Sequence, residues 1–148
     1  MESPLTPRVD VDPRNAPVRI PSTILHEMMK HALETGPEEC CGLIVGDRRR
    51  PFRHVHRCHN EMTARHNDDS VQFPRDNHSA FYMSEADIQA VQREADRVGL
   101  AVTAVYHSHV GAGAYLSDMD LEFGERERSR FPGADWIVVA VLGARVRE

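Results

Sequence analysis

Two histidines one residue apart, His107 and His109, follow the apolar run Leu100 to Tyr106 (LAVTAVY). On a strand, residues i and i+2 point to the same face, so both imidazoles can converge on one ion. A catalytic zinc site uses three protein ligands and keeps a fourth position for water. Asp120, in the first turn of the helix expected after Ser117, can fold back across the 110–116 loop. That completes a His/His/Asp set of N, N and O donors suited to Zn²⁺. The same residues also have a plainer explanation. Ser117-x-x-Asp120 is an ordinary helix start, with Ser as N-cap and an acid three residues on. It recurs at Ser84-x-x-Asp87, where no histidine pair precedes it. Neither half specifies a metal alone; specificity lies in the joint order of H-x-H at a strand's end, a loop, and S-x-x-D.

A rival cluster, His54-x-His56-x-Cys58, would share one strand face. Its ligand types suit zinc, but successive same-face positions on a straight strand lie about 7 Å apart. Two such side chains can converge by rotamer choice, three less easily. A polar outer face or part of a substrate surface is the alternative. The three cysteines, Cys40, Cys41 and Cys58, include an adjacent pair and no C-x-x-C, which argues against a disulfide framework, a zinc ribbon or a thioredoxin-like site.

Several elements must position these residues. Residues 1–16, rich in Pro, Asp and Arg, read as a flexible lead-in to one domain over 17–148. Val18 and Ile20 fit a short strand before Pro21. Ser22 fits an N-cap, with Leu25, Met28, Met29 and Ala32 at helical spacing and Gly36-Pro37 as the stop. Cys40–Val45, closed by Gly46, reads as a buried strand, and 52–58 as a second. Residues 60–80 are polar and aperiodic, a loop long enough to be functional or mobile. Ser84 caps a helix carrying Ile88, Val91, Ala95 and Val98 and ended by Gly99. Leu100–Tyr106 is a strand, Ser117 starts a helix to about Arg130, and Trp136–Leu142 (WIVVAVL) is a core strand. Interleaved strands and helices predict a mixed α/β (α+β) domain.

Composition limits the function classes. The 148 residues suffice for one domain with a real core. A net charge of −5 gives no basic field for nucleic acid. No apolar run approaches the ~20 residues that span a bilayer, and the N-terminus lacks signal-peptide blocks. A cytoplasmic protein with no nucleic-acid or membrane partner is expected.

His107-Ser108-His109, seven residues, then Ser117-Asp118-Met119-Asp120 resembles the H-x-H-x(7)-S-x-x-D signature of JAMM (MPN-plus, Mov34/PAD-type) metallopeptidases. That family also carries a glutamate in an E-x-C-G-type segment after its first helix, which Glu39-Cys40-Cys41-Gly42 matches. The resemblance covers roughly 18–142. It implies a curved mixed β-sheet flanked by helices, the cytidine-deaminase-like JAMM fold. It also implies one catalytic Zn²⁺ held by His107, His109 and Asp120, Glu39 as general base and proton shuttle, and Ser117 as an oxyanion-holding residue. Without the resemblance, Glu38 and Glu39 are equivalent candidates, since they face opposite sides of an extended segment.

The Ala114-Tyr115-x-Ser117 ending of the loop resembles the small bacterial branch of the family, and a RadC-type loop, typically Pro/Gly-rich, fits less well. The implied substrate is a ubiquitin-like sulfur-carrier protein, cut after its C-terminal Gly-Gly. A deubiquitinase-like isopeptidase, a non-catalytic MPN-type binding module and a hydrolase of free metabolites are the other classes. Loop 60–80 has two readings, a flap that guides a glycine-rich tail as an added strand or a disordered surface insertion. Relatives often continue past the strand at 136–142. Here either the sequence is expected to be truncated or that edge to be completed differently, a partner being one way; a homodimer is a separate expectation.

Overall fold

The computed structural model describes residues 18–143 and 145–146, so the lead-in expected at 1–16 lies outside the described residues. In chain order the elements are α1 (Ser22–Thr35), β1 (Cys41–Gly46), β2 (His54–Cys58), α2 (Met62–Asp68), α3 (Glu85–Arg97), β3 (Ala101–Val110), α4 (Asp118–Glu127), β4 (Asp135–Leu142) and β5 (Arg145–Val146). The strands form one mixed sheet in the order β2-β1-β3-β4-β5. Only β3 and β4 run parallel, and α4 lies in the connection between them. Such a pair needs a crossover rather than a hairpin.

Both sheet faces are covered, which explains the uninterrupted burial of β1. Alternation then sorts its side chains. Cys41, Leu43 and Val45 join Val105, α3 residues Ile88, Val91 and Ala95, and α4 residue Phe123 on one face. Cys40 and Ile44 join Ala104, Tyr106 and α1 residues Ile24, Met28 and Ala32 on the other. From Ala104 onward, past a register shift opposite Ile44 and Val45, the odd-numbered positions of β3 face α3 and α4, and His107 and His109 continue that series. Gly42 is required where it stands: a Cβ there would overlap the Tyr106 ring. Tyr106 fills that space and bonds through its hydroxyl to His31 Nδ1 at 2.7 Å.

Several expectations are corrected. Residues 18–20 form no strand. Pro21, not Ser22, is the N-cap of α1, and no side-chain cap bond forms. The buried stripe of α1 is Ile24, Met28, His31 and Ala32, whereas Leu25 is exposed, because the core-facing arc is turned by about one residue. The last helix stops at Glu127, three residues before Arg130, whose guanidinium reaches across to Glu85. Segment 60–80 contains α2, and a bridge joins Asn60 to Met83. Asn60 and Asn77 within it bond through their side chains to backbone, a kind of order that leaves no hydrophobic period. The β4 edge is completed differently, as one alternative had it, and in part by the chain's own β5 through Val141–Val146 and Leu142–Arg145 pairing.

Candidate metal centre

At the C-terminal end of β3, His107 and His109 project from the same face, and Ser108 between them turns the opposite way. Ser108 Oγ accepts the Cys40 N–H at 2.8 Å, tying the start of β1 to the same strand. Asp120 arrives from α4. Ser117 caps that helix by accepting the Asp120 N–H at 3.1 Å, while Asp120 Oδ2 accepts the Ser117 N–H at 2.8 Å. The plain capping box is therefore real. The same Asp120 Oδ2 also lies 3.0 Å from His107 Nε2 and 3.1 Å from His109 Nε2, and those two nitrogens are 3.2 Å apart. Capping and convergence on the histidines are one geometry, since the cap aims the carboxylate.

Proton bookkeeping tests whether these donors fit a cation. Gly113 O lies 2.9 Å from His109 Nδ1. A carbonyl only accepts, so Nδ1 carries the proton and Nε2 of the neutral ring presents a lone pair. Against the Asp120 carboxylate such a lone pair needs a cation between them, a proton or a metal ion, and the proton's presence is what raises the His109 pKa. A metal ion satisfies all three atoms at once, and the outward N–H to a carbonyl is the usual orientation of a ligating histidine. The N, N, O donor set fits zinc.

Electrostatics follow from burial. His107, His109 and Asp120 are each less than 5 % exposed. Burial lowers the pKa of His107, and the Asp120 bond only partly offsets it. Burial acts the same way on His109, but Asp120 and the Gly113 carbonyl outweigh it and the pKa rises. Burial alone would raise the pKa of Asp120; its bonds to the two histidines hold it well below the usual carboxylate range.

Glu39 enters from the segment before β1. Its carboxylate lies within 4.8 Å of ligand nitrogens on both histidines. Two three-donor sets can thus be drawn, one closed by Asp120 and one by Glu39. Asp120 is the nearer, touching both rings. Glu39 Oε1 is buried and has no hydrogen-bond partner. Burial pushes the Glu39 carboxyl up to about 8, so it exchanges protons near neutrality. Glu38, the equivalent candidate on sequence grounds, instead lies 3.4 Å from Asn77 Nδ2.

Segment 60–80 holds Glu39 in place. Asn77 O accepts the Glu39 N–H at 2.7 Å, and Asn60 Nδ2 donates to Glu39 O at 3.0 Å. Phe81 stacks on His107 with ring centroids 4.5 Å apart, and Tyr115 meets His109 edge-on at 4.9 Å. Asn60, Asn77, Phe81 and Gly113 were not singled out from sequence; no spacing rule links them to the histidines. The rival His54/His56/Cys58 cluster does not converge. Among the described residues, the donors within metal-binding reach of one another are those gathered on His107 and His109, with Glu39 or with Asp120 as the third. The three cysteines are free and buried. No described helix is long and apolar enough to cross a membrane.

Comparison with known proteins agrees with this architecture. The solution structure of protein DSY2949 from Desulfitobacterium hafniense is similar, with a TM-score of 0.55 and 18 % identity over 80 % of this chain and 70 % of that one. At that identity the likeness speaks to the fold. A search of curated proteins finds no match. Residues 21–146 match the family model described as prokaryotic homologs of the JAB domain. With nearly the whole described chain inside that match, the protein belongs to the prokaryotic JAB-domain family.

Proposed function

We propose that this chain is a zinc metallopeptidase that hydrolyses the peptide or isopeptide bond after the C-terminal Gly-Gly of a ubiquitin-like sulfur-carrier protein. The observation that carries the hydrolase reading is the meeting of His107 Nε2, His109 Nε2 and Asp120 Oδ2 beside a buried, unpartnered Glu39 oxygen. His107, His109 and Asp120 are the ligands. A zinc ion there supplies Lewis acidity and lowers the pKa of water toward ~7.

Each protein group then has a task. Glu39 takes the proton of the attacking water and delivers it to the leaving amine, the work of a general base that turns general acid. Burial raises its carboxyl in the metal-free site, and a cation held by the histidines would draw it back toward the carboxylate form that accepts a proton. Ser117 Oγ accepts from Asp120 N and so keeps its own O–H free to donate to the carbonyl oxygen as charge develops there. Gly113 and Phe81 fix the two imidazole planes.

The substrate rests on the loop ending Ala114-Tyr115-Leu116-Ser117 and its likeness to the small bacterial branch. The test is mass spectrometry of carrier proteins extended beyond Gly-Gly, incubated with zinc-loaded chain. Stoichiometric zinc, its loss in His107→Ala and release of the extension are expected. A metal-free protein that binds such carriers without cutting them would assign it to the non-catalytic members of the family.

A further inference from the structure

The chain has a net charge of −5, yet residues 48–60 hold five arginines, three histidines and no acid. They make up the β1–β2 turn and the whole of β2, which is an edge strand of the sheet. Arg48, Arg49, Arg50, Arg53, His54 and Arg57 are exposed. Few acids answer them. Asp47 Oδ1 accepts the N–H groups of Arg49 and Arg50 at 2.9 and 2.8 Å, and Asp47 Oδ2 stands 3.7 Å from Arg53. Glu34 holds Arg57 at 2.7 Å. Among the described residues, the side chains of Arg48, Arg49 and Arg50 form no ion pair.

A groove of about 490 Å³ runs beside this edge, between β2 and the end of α3. Cys58 packs with the α3-side core and Val55 with the α1-side core, so alternation turns His54 and His56 toward α3. Both histidines line the groove, with Val98 and Leu100 as apolar neighbours. Its one acid, Glu94, is already held by Arg97 through bonds of 2.9 and 2.7 Å. Cys41 pairs with His107 at one end of β1 and Val45 with His54 at the other, four residues on. The basic edge is therefore displaced by about 13 Å along the strands from the metal centre.

We propose that the free edge of β2 binds an extended acidic segment of a partner protein as an added strand. An edge strand presents N–H and C=O groups that such a segment can bond through its own backbone. The side chains select its character. Acids on the α3 side of the incoming strand meet His54 and His56, apolar residues on the α1 side meet Val55, and further acids reach the arginines of the turn. A second copy of this edge fits poorly, because it would set arginine and histidine against arginine and histidine. A nucleic acid would answer the charge but not the row of backbone groups. The surface is separate from the metal centre, so the proposal stands whether or not the chain is a peptidase.

The probes are capped, fluorescently labelled peptides of alternating Asp and Val, the same with Lys for Asp, and the acidic one with alternate amides N-methylated. Anisotropy on the full, chelator-treated chain at low salt reads affinity, and hydrogen exchange reads protection along 54–58. The acidic peptide should bind at least about tenfold tighter than the lysine one. N-methylation, which keeps the charge and removes strand pairing, should cost roughly tenfold. Arg53→Glu with His54→Glu, both exposed, should weaken the acidic peptide about tenfold with a thermal midpoint near that of the parent. Arg49→Gln on the turn should act in the same direction, about twofold. Equal binding of the acidic and lysine peptides, or no loss on N-methylation, overturns the proposal. So does a single-stranded oligonucleotide that binds tighter than the acidic peptide and displaces it, or a dimer that protects 54–58 without any peptide. If Asp10→Asn with Asp12→Asn tightens peptide binding, the chain's own 9–12 stretch (VDVD) competes for the edge and the partner assignment falls.

Discussion

Asn60 uses all four of its side-chain hydrogen-bonding positions. Nδ2 donates to Glu39 O and Ala80 O at 3.0 Å each, while Oδ1 accepts from Met62 N at 3.0 Å and Tyr82 N at 2.9 Å. Asn60→Ala orphans two carbonyls and two amides at once. At ~0.5–1.5 kcal/mol per bond the loss is about 2–6 kcal/mol, and the half-buried site, where water repairs some of the damage, puts it at about 2–4 kcal/mol. Asn60→Asp keeps both acceptors but sets a carboxylate oxygen against two carbonyls, so it should be at least as damaging at neutral pH. Urea unfolding of chelator-treated protein measures the loss without contribution from a metal. Hydrogen exchange at Met62 and Tyr82 locates it. Because the Glu39 backbone shifts, hydrolysis should fall 10- to 100-fold while zinc stoichiometry stays at one. A stability change below ~0.5 kcal/mol with unchanged protection at both amides would refute the claim that Asn60 fastens segment 60–80 to Glu39.

Three further outcomes follow from the same geometry. Gly42→Ala drives a Cβ into the Tyr106 ring. Differential scanning calorimetry should show a loss of about 1–3 kcal/mol, the usual cost of overpacking. His31 has its pKa lowered to about 4, chiefly by burial and then by Arg57. The unfolded chain thus takes up this proton first, so stability is full above pH 6.5 and falls as pH drops toward 4. At 1.36 kcal/mol per unit the loss is about 2 kcal/mol by pH 5. Urea midpoints at pH 7.5 and 5, compared between the chain and His31→Gln, isolate the effect; equal pH dependence in both would exclude it. Asp120→Asn removes the carboxylate from the histidines and weakens the capping box. Zinc retention should drop severely with only about 1 kcal/mol of stability lost in the chelated state, whereas Ser117→Ala should cost similar stability and keep the metal.

The order of elements was legible because it follows from local rules. Period-2 alternation fixed that His107 and His109 share a face, the apolar run at Cys40–Val45 marked a strand covered on both sides, and Ser84 and Ser117 marked helix starts. A mixed α/β domain followed from the interleaving of strand and helix signals, and the mixed sheet flanked by helices was what the family resemblance implied. The pairing of Ser117-x-x-Asp120 with H-x-H was readable as a candidate ligand set, but sequence could not separate a cap from a ligand. The fold shows that one carboxylate oxygen does the capping and faces both imidazoles, since the cap itself sets its direction. Glu38 and Glu39 were likewise equivalent in an extended segment. Burial beside the histidines distinguishes Glu39, and contact with Asn77 occupies Glu38.

Segment 60–80 was the largest gap. Its order depends on Asn60 and Asn77 bonding to backbone 14 to 22 residues away, or across the sheet edge to Glu39. Side-chain-to-backbone bonds of that reach leave no period in the sequence. The sequence by itself determined which donors could meet a metal and on which elements they ride, because strand and helix periods are local. Only the tertiary structure decided which carboxylate oxygen lies against both imidazoles and what holds Glu39 beside them, because those depend on contacts between segments remote in the chain.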